Sequence, residues 1–467
     1  MTQAVDPTRG PLLPALLRLA GPIVIMQLSH TLFHVIDVMW VGRLGAAATA
    51  GVTASYYFVW MLWSLNDITA VSVAATVARH IGARERDKAA YGVAQAALLA
   101  VVLGAVVTVI GLSVDRVYAL VGASPEVHAI GVGFLRYIFA GAIITFLFGL
   151  SESTLRAAGD TRTPMIVVAS SLALNAILTP LLVFGPGPLP ALGASGAGLA
   201  TVLAQLFAVV WFATLALRGH PAFPFDFAAL RRVSAPYVLA LVRVGLPFSL
   251  MGLLFSAVYV VLARIAARVG TEGLAVLGIG NRVESLAYLV AVGMSLACEA
   301  VVGQNLGARE PRRAERAAWL SSGIMAAFAL VISVVMWAVP EALVGFFTND
   351  AEVVRLGVPY LRVLAACQAF SAIEIVMNGA FAGAGDTMPP MLITGVLSTL
   401  RIPLAFWLCI DQGLGALGLA WTITVTCIGR GALLAYWFHR GAWKTKALAT
   451  ADALRVAHPL PPPDPQY

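Results

Sequence analysis

Ala158-Gly-Asp-Thr-Arg-Thr-Pro164-Met165 and Ala384-Gly-Asp-Thr-Met-Pro-Pro390-Met391 are one motif written twice, about 225 residues apart. The spacing is not isolated. Arg18-Leu-Ala-Gly-Pro22 pairs with Arg243-Val-Gly-Leu-Pro247, and Gly82-Ala-Arg-Glu85 with Gly307-Ala-Arg-Glu310. Leu135-Arg136 pairs with Leu361-Arg362, and Gly198-Leu-Ala200 with Gly418-Leu-Ala420. The matches keep their order along nearly the whole chain, so the protein is built from two similar halves.

The text between the repeated motifs is apolar. Of 467 residues, 60% are hydrophobic and 11% charged, against about 25% charged in soluble chains. A soluble surface needs that charge and a lipid-facing surface does not, which places the chain in the membrane. A helix crossing the bilayer needs about 20 mostly apolar residues. Twelve runs qualify, near 14–41, 47–77, 90–114, 130–156, 164–184, 195–217, 238–267, 274–303, 316–340, 357–381, 389–410 and 415–438. They are too long and too uniformly apolar for barrel strands. The first run lacks a small-residue cleavage site, so it reads as a retained helix.

Six spans per half return the chain to its starting side. The halves are then parallel, related by a pseudo-two-fold axis along the membrane normal, and a substrate cavity is expected between them. The expected fold is all-α and integral to the membrane: twelve transmembrane helices in two pseudo-symmetric six-helix lobes, 1–217 and 238–440. Residues 218–237, with their prolines and arginines, read as a cytoplasmic linker. Residues 441–467, ending in HPLPPPDPQY, read as a disordered tail.

The net charge of +7 lies in short loops rather than in a nucleic-acid patch. Arg79, Arg84, Arg86 and Lys88 share one side with Arg218, Arg231, Arg232, Arg309, Arg312, Arg313 and Arg316, and with Arg440, Lys444 and Lys446. By the positive-inside rule that side and both termini are cytoplasmic, and the setting is a cell inner membrane. The cysteines Cys298, Cys367, Cys409 and Cys427 lie in apolar runs without metal or disulfide spacing, and read as small lipid- or helix-facing residues. There is no His-Glu-x-x-His, Gly-x-Ser-x-Gly or Walker loop, so the residues favour neither an enzyme nor a primary pump.

Ionisable groups inside spans are costly and mark function. Gln27, His30, His34 and Asp37 fall within an arc of about 80° on the first helix, a stripe that should face a cavity. A carboxylate sheltered from bulk water can be neutral or charged near physiological pH, which suits Asp37 to cation coupling. His34, three residues before Asp37, is a candidate protonatable partner. His30 and His34 have metal-ligand spacing but no third ligand, and no metal or other cofactor is expected. Asp67 inside the second span ranks next. Glu374 on the tenth span has Arg401 on the eleventh as its expected partner. Glu152 and Glu299 read as interfacial. Met26, Tyr56, Tyr57, Trp60, Met61 and Trp63 offer polarizable surface to a substrate; of these Met26, Tyr57 and Trp60 join Asp67 and Glu374 as candidate cavity residues.

Over residues 11–440 the chain resembles the multidrug and toxic compound extrusion (MATE) family. The likeness rests on the opening Leu-Ala-Gly-Pro, on Val41-Gly-Arg-Leu-Gly45, on both Gly-Ala-Arg loops, on both Ala-Gly-Asp-Thr segments and on Leu174-Asn-Ala-Ile-Leu-Thr-Pro180. It implies a monomeric efflux transporter that exchanges H⁺ or Na⁺ for cationic amphipathic molecules by alternating access. A lipid-linked saccharide flippase of the wider superfamily is the alternative. The DinF-like branch is the nearer one, because its coupling acid matches Asp37, its amide Asn175 and its hydroxyl Thr201. Where that branch reads Asn-x-x-x-Asp-Pro, this chain has Thr179 before Pro180. The second carboxylate is gone, which weakens the case for Na⁺.

Overall fold

The computed structural model describes residues 5–119, 124–187 and 190–445, and among them every regular element is helical. The first half contains α1 (Leu12–Val41), α2 (Ala46–Gly82), α3 (Arg86–Gly111), the short α4 (Val114–Ala119), α5 (Pro125–Ala140), α6 (Ala142–Ala157), α7 (Arg162–Phe184) and α8 (Ala194–Leu217). The second contains α9 (Ala235–Val269), α10 (Thr271–Gly307), α11 (Pro311–Ala338), the short α12 (Pro340–Gly345), α13 (Ala351–Ala365), α14 (Gln368–Ala384), α15 (Met388–Phe406) and α16 (Ala416–His439). Ten of the helices are long and apolar enough to cross a bilayer. The pairs α5–α6 and α13–α14 make the remaining two spans, bent by 56° and 54°. The runs 130–156 and 357–381 are therefore broken spans rather than continuous helices.

The repeated Ala-Gly-Asp-Thr motif is a helix stop joined to a helix start. Gly159 and Gly385 take φ of +90° and +73° just beyond α6 and α14. The next amides, of Asp160 and Asp386, donate 3.0 Å bonds back to Leu155 O and Phe381 O. This left-handed closure satisfies carbonyls that the helix leaves open, and glycine adopts it without a Cβ penalty. The Asp160 carboxylate then accepts from the Thr163 amide at 3.0 Å and the Thr163 hydroxyl at 2.6 Å, capping α7.

The two halves meet along α2 with α9, and along α10 with α1 and α2. Their tightest approach is at the end carrying the two Gly-Ala-Arg-Glu loops. A Cβ on Gly82 would collide with the Gln304 carbonyl, and one on Gly307 with the Arg79 carbonyl. Glycine is what allows these backbones to touch. Two side chains reach across the same seam: Arg79 Nη2 donates to Ala384 O at 2.8 Å, and Gln304 Nε2 to Ala157 O at 2.7 Å. Arg79 and Gln304 occupy equivalent places in the two repeats, so each half closes on the helix end that precedes the other's Gly-Asp-Thr turn.

Between α8 and α9, a 3₁₀ turn at Ala228–Arg231 packs on α3. There Gln95 Nε2 donates to Ala229 O at 3.1 Å and Tyr91 OH to Arg232 O at 3.0 Å. The tail begins ordered rather than disordered: Trp443 is buried, with its ring stacked 4.5 Å from Phe438. Burial of an indole on the last helix outweighs the ordering entropy of these residues. The Pro-rich remainder lies outside the described residues.

Candidate functional site

A cavity of about 560 Å³ lies between the halves, away from the sealed seam. Gln27, His30, His34 and Asp37 all line it, so the polar stripe of α1 faces the interior. Asp37 is only 2% exposed. Its Oδ2 accepts from Thr201 Oγ1 at 3.0 Å and from Tyr56 OH at 3.4 Å, and its Oδ1 from Thr179 Oγ1 at 3.3 Å. Asn175 Nδ2 donates to Thr201 Oγ1 at 3.3 Å, while Asn175 Oδ1 is buried without a hydrogen-bond partner. Helices α1, α2, α7 and α8 thus bring one carboxylate, three hydroxyls and an amide to one place. The set can hold a proton on Asp37 or offer hard oxygens to a small cation. Thr179, at the position of the missing second carboxylate, serves Asp37 as a donor.

His34 lies on the same face but is not among Asp37's hydrogen-bond partners. Its ring packs edge-on against Tyr56 at 4.6 Å. The tyrosine hydroxyl is the group that reaches the carboxylate, because α2 presents Tyr56 opposite Asp37 while the histidine ring turns onto the phenol. His30 Nε2 lies 3.1 Å from Glu152 Oε2, and Arg156 Nη1 donates to Glu152 Oε1 at 3.0 Å. Glu152 is therefore a buried cavity residue rather than an interfacial one, and Glu299 too is buried. They lie on α6 and α10, which approach one another from the two halves.

Asp67 and Trp60 line the cavity on α2. Tyr57, one residue and about 100° around the helix from Tyr56, is not among the lining residues and is 63% exposed. Met26 is fully buried in the hydrophobic core and does not line the cavity. Contact between helices covers it before any substrate can.

Glu374 faces the cavity, but its partner is Arg430 of α16, with Nε 3.3 Å from Oε2. Arg401 turns the other way: Nε donates to Thr426 Oγ1 at 2.8 Å and Nη2 to Cys427 Sγ at 3.1 Å. Arg430 Nη2 reaches the same sulfur at 3.2 Å. Cys427 therefore faces neighbouring helices, and its sulfur accepts from two guanidinium groups. Glu284 on α10, whose Oε1 accepts from Gln368 Nε2 at 2.6 Å, completes the polar end of the second half. Glu284 and Arg430 went unsingled in the sequence, although charged residues inside apolar spans carry their own signal.

Bilayer-length helices in two parallel halves around a central, partly charged cavity define a polytopic membrane transporter. The MatE family model matches residues 22–181 and 247–407, one stretch in each half, and the chain belongs to that family. A relative from Thermotoga maritima named probable multidrug resistance protein NorM is 28% identical, over 94% of this chain and 95% of its own. A Shewanella oneidensis protein named FAD transporter is 26% identical, over 95% of this chain and 98% of its own. A solved MOP superfamily transporter from Pyrococcus furiosus superposes with a TM-score of 0.86, covering 97% of this chain and 99% of its own at 23% identity. The multidrug relatives carry the name NorM. Likeness over the whole chain therefore leans away from the DinF-like branch that the residues around Asp37 suggested.

Proposed function

We propose that this protein exports cationic amphipathic small molecules in exchange for H⁺ or Na⁺ by alternating access, with Asp37 as the coupling carboxylate. The observation that carries this reading is a buried Asp37, held by Tyr56, Thr179 and Thr201, on the wall of the central cavity. Protonation or cation binding there removes a charge that a cationic substrate otherwise meets, so the two ligands compete. Relatives named for multidrug resistance support the efflux role. With the basic loops in the cytoplasm, the sealed Arg79–Gln304 seam faces inward and the cavity is in its outward-facing state, in a cell inner membrane. A flippase for a polyanionic headgroup is disfavoured, since the described lining holds five carboxylates against three arginines.

The test is efflux of a fluorescent cation from proteoliposomes under separately imposed pH and Na⁺ gradients. Wild type should respond to at least one gradient, and Asp37→Asn to neither. Equal rates for the two proteins under both gradients would remove Asp37 from the mechanism.

A further inference from the structure

Ahead of α1, residues 5–10 run across the sealed seam. One end of this strap is held by the first half: the Val5 amide donates to Gly159 O at 3.0 Å, and a Cβ on Gly159 would collide with the Val5 carbonyl. The other end leads into α1 of the same half. Between these anchors its carbonyls are taken by the second half. Arg313 of α11 donates to Pro7 O through Nε at 3.1 Å and Nη2 at 3.0 Å, and Nη2 reaches Gly10 O at 2.7 Å. Asn305 Nδ2, at the end of α10, donates to Pro7 O at 3.4 Å. Pro7 is buried, and the Thr8 amide closes a turn on Asp6 Oδ1 at 2.9 Å, so the segment has a defined shape. Bonds from an ionised donor are about twice as strong as neutral ones, and Arg313 directs its fork at two main-chain oxygens of the opposite half.

The repeat contains the device a second time. Arg232 stands about 225 residues after Pro7, just ahead of α9. Its carbonyl accepts from Tyr91 OH at 3.0 Å and Gln95 Nε2 at 3.2 Å, both on α3 of the first half. The segment before the first helix of each half is thus strapped to the third spanning helix of the other. The two straps differ. The donors at Arg232 are neutral, and its segment is continuous with α8 of the first half, so it can stay on α3 as the halves part. The strap at Pro7 is anchored to the first half at both ends and bonded to the second by a guanidinium, so parting the halves has to break it.

We propose that residues 5–10 are a latch: the strap holds the two halves together at the sealed end, and Arg313 releases Pro7 and Gly10 before that end opens. The inference rests on the alternating-access reading above and names a contact that breaks and re-forms in each cycle.

Spin labels at the exposed positions Asp87→Cys on α3 and Arg316→Cys on α11 read the gap across the seam, by pulsed dipolar spectroscopy of the full chain in nanodiscs. Three changes are compared with the parent: deletion of residues 2–9, Arg313→Ala, and both together. Each single change should raise the ratio of open to sealed molecules about tenfold or more, as expected for lost bonds to a charged group. The combination should go no further than either alone, because Arg313 acts through the strap. Arg313→Lys should fall between the parent and Arg313→Ala, since a point charge keeps attraction but loses the planar fork. A second label pair, Arg9→Cys with Arg316→Cys, follows the strap while Arg313 stays in place. In an Arg79→Ala background, which weakens the seam away from the strap, this distance should lengthen in the same fraction of molecules as the seam distance. Three results overturn the latch: open populations equal to the parent's in both the deletion and Arg313→Ala, additive effects in the combination, or a strap distance that stays short where the seam distance lengthens. Gradient-driven efflux of the fluorescent dye cation by the parent leaves the efflux reading standing in each of these cases. A parent whose dye efflux follows neither gradient counts against the efflux reading alone, because the distance measurements need no substrate.

Discussion

Replacing Arg79 by alanine should loosen the sealed end. The Arg79 guanidinium donates to Ala384 O at 2.8 Å across the seam, so this bond exists only while the halves are closed there. A hydrogen bond involving a charged group contributes about 1.5–3 kcal/mol. Each 1.4 kcal/mol is a factor of about ten. The ratio of sealed to unsealed molecules should therefore fall roughly 10- to 150-fold in R79A. The equivalent Gln304 bond to Ala157 O is neutral, so Q304A should shift the ratio less, roughly 2- to 12-fold. Spin labels placed by Asp87→Cys and Arg312→Cys sit on the exposed first turns of α3 and α11, and the native cysteines are buried. Pulsed dipolar distances in nanodiscs should show one short population in the parent, a longer one growing in R79A, and more of it in R79A/Q304A. An unchanged distance distribution in the double variant, with helical content intact, would refute the idea that these bonds hold the seam.

Thr201→Val and Thr179→Val each remove a hydroxyl oxygen from the set around Asp37, and each should raise the half-saturating Na⁺ concentration about tenfold in proteoliposomes where a Na⁺ gradient drives efflux. Glu374→Gln leaves Arg430 buried without its counter-charge and should lower stability by about 3–5 kcal/mol, with Glu374→Gln/Arg430→Met recovering most of the loss in a detergent thermal melt. Trp60→Ala should weaken dye binding measurably, while Tyr57→Ala on the exposed face should leave it within about twofold. Met26→Ala should cost about 2–5 kcal/mol of stability through the cavity it leaves, with dye affinity in the folded fraction unchanged.

Much of this architecture is legible in one dimension. Apolar runs of bilayer length follow from the absence of water for backbone groups, and the duplication follows from motifs that stop and start helices at the same places. The stripe on α1 reads correctly because it lies on a single helix, where 100° per residue fixes the face. Arg430 was legible as well, being an arginine inside an apolar span. Its partnership with Glu374 was not, since the choice between Arg401 and Arg430 depends on how α14, α15 and α16 rotate against one another.

The sequence by itself determined the apolar spans, the two halves and the face on which Asp37 stands. Only the tertiary structure decided that Tyr56 rather than His34 meets Asp37, that Met26 is sealed between helices, that two spans bend, and that Glu374 pairs with Arg430 rather than with Arg401. Properties of one helix repeat along its own residues and can be read there. Which side chains meet between helices is set by close packing of small residues and by where donors find acceptors across the gap, and no single helix carries that information.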